Sequence, residues 1–479
     1  MSREKHCTHE DCQIRLDYSN MMAEMIGDQG FTQQLLTANR AKIEAAHKQI
    51  KSLRSRGLLP WQDLLHENDF LRDIQEYKSL IEGDFDDLVL IGIGGSALGA
   101  IALVKALGKP FSYLLGKRRR GKDLRFIFSD NIDPETFQGV LSSLDPAKTL
   151  FNVVSKSGET PETLGRFMVA FDWLKSALGE SKAKKHVVVT TDPQKGTLRR
   201  LSRQLGLKSF SIPQDLEGRF SVFSPVGLLP AALAGIDVEG VLQGARLMEV
   251  RLQEPDFHKN PAYLSALLQY LADVRQGRNM VVLMPYSDRL RGQVEWYRQL
   301  WAESVGKKFS RDGNLVNCGS TPVPARGVSD QHSQMQIFSE GPQDKVVVFL
   351  ATDRYSVSCP INTHKAFGSE DFGYLQGSSL ELLAQTERIS TALSLRHARR
   401  PNMTFVFPSI TPCTIGQFMY MMLLQSVVAG ELYQVKTFEQ DGVEEAKMDI
   451  LAMMGCRGYE KRRAQIEKEL KGGENTFTC

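Results

Sequence analysis

Glu303 and Gln299 lie four residues apart in Glu295-Trp-Tyr-Arg-Gln-Leu-Trp-Ala-Glu303. Helical spacing puts both on one face, one turn from each other. Gly306 marks the end of that helix, so Glu303 faces the negative end of the dipole. That position disfavours its charge and suits a general base. A solvated surface glutamate is the plain alternative. Gly218-Arg-Phe-Ser221 sets one arginine beside a glycine that frees the backbone. A guanidinium is permanently charged and can hold an oxyanion with a planar fork of donors. Ser155-Lys-Ser-Gly-Glu-Thr160 is a hydroxyl-rich turn between an apolar run and Pro161. Backbone N–H groups, hydroxyls and the positive end of a helix converge there on one anion, and phosphate is the natural guest. An ordinary capped helix start uses the same residue types.

Other segments carry less chemistry alone. Gly92-Ile-Gly-Gly-Ser-Ala97 fits a loose dinucleotide fingerprint. The acidic residue that should end the next strand is missing, because a basic loop fills the interval. Gly95 and Ser96 therefore read as a close approach to a sugar or phosphate. His332 follows Gln331 in a loop after Gly327; it is one of nine histidines, and a structural role is the default. In Gln440-Asp-Gly-Val-Glu-Glu-Ala-Lys447, Asp441 and Glu444 have capping-box spacing. Lys447 lies one turn beyond Val443, which would aim its amine toward Gln440. His6, Cys7, His9 and Cys12 lack the tight pairing of a metal site, so no metal is expected.

Apolar runs at Leu88–Ile93, Arg125–Phe128, Leu150–Val154, His186–Thr191 and Phe210–Ile212 alternate with helical stretches. The pattern predicts an α/β fold with a doubly wound parallel sheet. Ligands of such sheets bind beyond the carboxyl ends of the strands, where both glycine-bearing turns fall. Runs at Asn279–Met284, Asp344–Leu350 and Asn402–Phe407, with a helix at Gly292–Val305, predict a second such unit. The expected organisation is a helical N-terminal region, 1–86, with helices at Arg40–Leu53 and Trp61–Ile81. A first α/β subdomain follows at 87–240, then a connector and second subdomain at 241–435. A C-terminal arm, 436–479, carries one helix at Gly442–Met454.

A net charge of +3 over 479 residues argues against a nucleic-acid surface. Lys117-Arg-Arg-Arg120 reads as a solvated loop. The longest apolar stretch, Phe418–Gly430, is interrupted by Gln425 and is too short to span a bilayer, so no membrane partner is expected. The N-terminus shows no apolar signal core, which makes a cytoplasmic location the default. Seven cysteines, mostly single, fit reduced thiols.

Together and in this order, the segments resemble the glucose-6-phosphate isomerase family from Leu88 to Lys447. The likeness is closest in Gly92–Ser96, Ser155–Glu162, Gly218–Ser221, Glu303-Ser-Val-Gly-Lys307, Gln331-His332 and Gln440–Lys447. It implies two sugar-isomerase (SIS) subdomains, a helical N-terminal region, a C-terminal arm and a homodimer. It implies aldose–ketose isomerisation between glucose 6-phosphate and fructose 6-phosphate, by ring opening and proton transfer through a cis-enediolate, without metal or cofactor. On that resemblance Ser155, Lys156, Ser157 and Thr160 hold the phosphate, and Gly95, Ser96 and Gly218 line the sugar pocket. Glu303 moves the proton between C2 and C1, and Arg219 stabilises the enediolate. Gln299 and Gln440 orient the sugar. His332, donated by the neighbouring chain, opens the ring with Lys447. Ser157 stands where many members have threonine, and Ala100 where many have proline. Rival readings are a dual phosphoglucose/phosphomannose isomerase and a non-catalytic sugar-phosphate-binding protein. A hexosamine synthase would need an N-terminal cysteine nucleophile, where this chain has Met1-Ser2.

Overall fold

The computed structural model describes residues 12–67, 69–111, 114, 121, 123–362 and 372–472. In chain order the strands are β1 (Arg15–Asp17), β2 (Asp87–Ile91), β3 (Arg125–Ser129), β4 (Thr149–Ser155), β5 (Val187–Thr191) and β6 (Lys208–Ser211), followed by β7 (Met280–Pro285), β8 (Lys307–Phe309), β9 (Leu315–Cys318), β10 (Thr321–Pro324), β11 (Lys345–Arg354) and β12 (Asn402–Ser409). The first sheet has the order β3-β2-β4-β5-β6, and its neighbours are all parallel. The second has the order β1-β12-β11-β7-β10. It is parallel except at β1, which pairs antiparallel with β12.

The alternation of β2 explains how its sheet is covered. Leu88 and Leu90 pack with the Leu98–Leu107 helix in the large central core. Val89 and Ile91 face the other way, onto Phe167, Ala170 and Leu174 of the Pro161–Leu178 helix. Successive strand residues point to opposite faces, so a strand buried on both sides must be apolar throughout. The helices that follow β2 and β4 thus lie on opposite faces. The adjacent carboxyl ends of these two strands form the switch point of the sheet. The second sheet repeats the arrangement: Val282, Met284, Val347 and Phe349 turn to one core and Val281, Leu283, Val346 and Val348 to the central one.

Long helices run through the core between and beside the sheets. Pro412–Tyr433 is, against expectation, long and apolar enough to cross a membrane, yet its apolar window is wholly buried in the protein. Its buried Gln425 accepts from the Tyr297 hydroxyl at 2.8 Å and donates to Ser265 Oγ at 2.8 Å, so the polar interruption is satisfied internally. Arg291–Val305 crosses Leu98–Leu107 closely, because a Cβ at Gly292 would stand 2.9 Å from Ala102 Cα.

Several expectations need correction. The helix expected over Trp61–Ile81 divides into Pro60–Asp63 and Asp69–Leu80. Its apolar spacing hid the break, since Leu64 and Leu65 in the intervening turn are buried too. The C-terminal segment has two helices, Glu444–Met453 and Glu460–Gly472, not one. The second is strongly polar and carries no apolar stripe from which to predict it. The capping box of Asp441 and Glu444 does not form. The Asp441–Val443 residues make a 3-10 turn, and Glu444 instead takes the Lys447 ammonium at 2.6 Å. Cys12 is disulfide-bonded, against the expectation of reduced thiols, whereas Cys318, Cys359, Cys413 and Cys456 are free. His6, Cys7, His9 and the basic run at 117–120 lie outside the described residues.

Candidate active site

The carboxyl end of β2 meets the turn that carries Arg219. A Cβ on Gly95 would stand 2.3 Å from the Gly218 carbonyl carbon, so only glycine lets these two backbones touch. Ser221 Oγ donates to the carbonyls of Gly218 at 2.7 Å and Gly95 at 3.3 Å, clamping the two turns. Gly94 has a φ of +55°, and its absent Cβ would lie 2.9 Å from the Gln299 amide nitrogen. Gly95, Ser96, Gly218 and Gln299 are therefore neighbours.

Arg219 is 2% exposed. Its guanidinium donates to Ser304 Oγ at 3.2 Å, the Thr437 carbonyl at 2.7 Å and Gln440 Oε1 at 3.1 Å, and it lies 3.4 Å from Glu303 Oε2. Burial pulls its pKa below that of an ordinary arginine, and the neighbouring Glu303 and Glu217 carboxylates oppose the shift. The Gln299 amide donates to the other Glu303 oxygen at 3.0 Å, as the four-residue spacing predicts. Glu303 and Gln440 line an open cleft of about 840 Å³ that also bears Lys307, Glu439, Asp441 and Val443. The Glu303 carboxylate is about a quarter exposed, at 26%, so it reaches solvent while its two partners fix its direction.

The Ser155–Thr160 turn is ordered by its own hydroxyls. Ser155 Oγ accepts from the Gly158 N–H at 3.1 Å, and Ser157 Oγ accepts from the Glu159 N–H at 3.2 Å. Ser155 and Thr160 hydroxyls are bonded at 3.1 Å. Thr160 is the N-cap of the Pro161–Leu178 helix, yet its side chain makes no capping bond. Its hydroxyl thus stays in the turn with the two serines, which the simple capped-helix alternative does not explain. Lys156 lies 3.6 Å from Glu217, the residue before Gly218, and so links this turn to the arginine turn.

Two predicted residues stand apart. His332 closes the short Ser329–His332 helix and lines a separate cleft with Glu387, Thr391 and Ser394. Its neighbour Gln331 is tied to the Tyr286 hydroxyl at 2.6 Å. Lys447 is about half exposed and bound to Glu444. Among the described residues neither is bonded to Glu303 or Arg219.

Sequence reasoning missed Arg166, Ser304 and Lys307. The buried Arg166 donates to the carbonyls of Gly92 at 3.1 Å and Glu162 at 3.0 Å, and also to Ser129, fixing the phosphate-type turn against the glycine turn. A mid-helix arginine gives no sequence signal for this. Ser304 and Lys307 sit inside a segment already singled out, but spacing alone assigns them no partner.

The chain is similar to known proteins over most of its length. Residues 65–455 match the family described as phosphoglucose isomerase. A glucose-6-phosphate isomerase from Carboxydothermus hydrogenoformans is 37% identical over 459 residues, 96% of this chain and 98% of its own. One from Rubrobacter xylanophilus is 42% identical over 374 residues, 78% of this chain and 83% of its own. The crystal structure of a hypothetical protein from Thermus thermophilus superposes with a TM-score of 0.82 at 36% identity, covering 92% of this chain and 100% of that one.

Proposed function

The chain belongs to the phosphoglucose isomerase family, and we propose that the Glu303–Arg219 pair carries out the proton transfer of its reaction. That reaction is the reversible interconversion of glucose 6-phosphate and fructose 6-phosphate. The observation that carries the assignment is the Glu303 carboxylate held at 3.0 Å from Gln299 and 3.4 Å from Arg219 at the wall of an open cleft. With the open-chain sugar bound, Glu303 takes a proton from C2 and returns it to C1. A single base on one face serves both steps. The negative charge that develops on the enediolate oxygens lies beside the Arg219 guanidinium, which is already positioned and largely dry. Gln299 and Gln440 orient the sugar hydroxyls, and Gly95, Ser96 and Gly218 let the sugar approach the backbone.

Ser155, Lys156, Ser157 and Thr160 hold the phosphate at the start of the Pro161–Leu178 helix, where the dipole favours an anion. The preordered hydroxyls support this role. Substituting Ser157→Ala together with Thr160→Ala should raise KM for fructose 6-phosphate at least tenfold and weaken inhibition by inorganic phosphate in parallel. An unchanged KM in steady-state assays would remove the turn from phosphate binding.

Ring opening needs a group that donates and accepts a proton near neutral pH, and histidine does so. His332 and Glu303 line different clefts of one chain, which supports a homodimer in which His332 enters the neighbour's site. Lys447 assists only after leaving Glu444. The test mixes inactive His332→Ala with inactive Glu303→Gln under conditions that exchange subunits. Donation in trans restores activity, because a heterodimer then contains one site with both groups. Demonstrated exchange without recovery would place His332 in cis or make it structural. The proposed segments 1–86, 87–240, 241–435 and 436–479 would then share one site among the last three, in a cytoplasmic enzyme.

A further inference from the structure

Lys307 begins β8, two residues beyond the end of the Arg291–Val305 helix. Its half-buried ammonium donates to the Glu303 carbonyl at 2.6 Å and to the Glu439 carbonyl. The last carbonyls of a helix lack backbone partners. Here the chain has turned into β8, and the Lys307 side chain takes the Glu303 carbonyl. Its second acceptor precedes Gln440, whose amide oxygen receives the Arg219 guanidinium. One amine therefore joins the residue bearing the carboxylate to the segment bearing the sugar-orienting amide. We propose that Lys307 is a positioning residue for the isomerisation, a charged clip that holds the Glu303 helix end and the Gln440 segment in register across the cleft. The proposal rests on the roles assigned above to Glu303 and Gln440.

The clip has a sign. Burial and the Arg219 charge lower the Lys307 pKa to about 8, while Glu303, Asp441 and Glu439 oppose the shift. These groups come from the Arg219 turn, the Arg291–Val305 helix and the C-terminal segment, and the Cys318 thiol of β9 stands opposite Lys307 in the β8–β9 pair. Lys436 also faces this cluster, bound to Glu439 at 3.1 Å. The ammonium form is thus present below about pH 8 and lost above it. A charged donor holds a carbonyl more strongly than a neutral one, so deprotonation loosens both bonds together.

The test compares the parent enzyme with Lys307→Met and Lys307→Arg in kcat and KM from pH 6 to 10. Lys307→Met should lower kcat roughly 10- to 100-fold, the scale on which small misplacements act, with KM changed less than threefold and inhibition by inorganic phosphate unaltered. The parent should show an alkaline decline in kcat near the lysine titration. Lys307→Arg should retain most activity and move that decline upward, since arginine stays charged. A folded Lys307→Met with parental kcat, or an alkaline limb unmoved in Lys307→Arg, overturns the proposal. If Lys307→Met does not fold, the arginine variant decides alone. An inactive Glu303→Gln beside a normal Lys307→Met leaves the catalytic assignment standing and removes only the clip.

Discussion

Replacing Glu303 with glutamine should lower isomerisation about 10³-fold while leaving binding of fructose 6-phosphate within a few-fold of the parent. The substitution keeps the length and planarity of the side chain. Its amide oxygen can still accept from Gln299 or Arg219, which hold the parent carboxylate at 3.0 and 3.4 Å. What disappears is the basic oxygen that takes a proton from carbon. Loss of a general base alone costs about 10²–10⁴ in rate, and solvent has no equivalent base held at the same face of the sugar. The measurement is a coupled assay of turnover, joined to exchange of the C2 proton with deuterated water and circular dichroism for the fold. Near-normal turnover and exchange in a folded variant would take the role away from Glu303.

Arg219→Lys should lower kcat by about 10²–10³, the usual effect of removing one preorganised donor from a developing oxyanion. The charge is retained, so any loss reports geometry. The guanidinium serves Ser304, the Thr437 carbonyl, Gln440 and Glu303 at once. A single ammonium on a shorter reach cannot satisfy all four. Buried acceptors left without a donor cost about 1–3 kcal/mol each, so the thermal midpoint should fall as well. Inhibition by inorganic phosphate separates the two effects: the Ser155–Thr160 turn keeps its own hydroxyl bonds and should bind phosphate as before. Parental kcat in Arg219→Lys would exclude the guanidinium fork from the chemistry.

The legible parts of this chain are those whose physics is local. The Gln299–Glu303 contact follows from helical spacing, and the central strands β2, β4 and β5 stand out because residues buried on both faces must be apolar. The illegible parts depend on contacts far apart in sequence. Arg219 meets Ser304 and Gln440, and nothing in the Gly218–Ser221 segment names those partners. β10 contains Pro322 and Pro324, which argue against a strand, yet it sits at a sheet edge where proline is tolerated. β1 is short and partly polar, and it is recruited only by the exposed side of β12. Spacing from Val443 aims Lys447 toward Gln440, but a nearer carboxylate, Glu444, takes its ammonium.

Arg219 finds two of its acceptors, Thr437 and Gln440, only in the C-terminal segment. That placement sets a schedule during translation. The Ser155–Thr160 turn leaves the ribosome long before Gln440; at about 5–20 residues per second the interval is roughly 15–60 s. Throughout that time the arginine lacks the Thr437 and Gln440 acceptors and the clip across the cleft is unmade. Catalysis is therefore a late-acquired property of this polypeptide, because a chain stalled before Gln440 holds an arginine turn that is still incomplete.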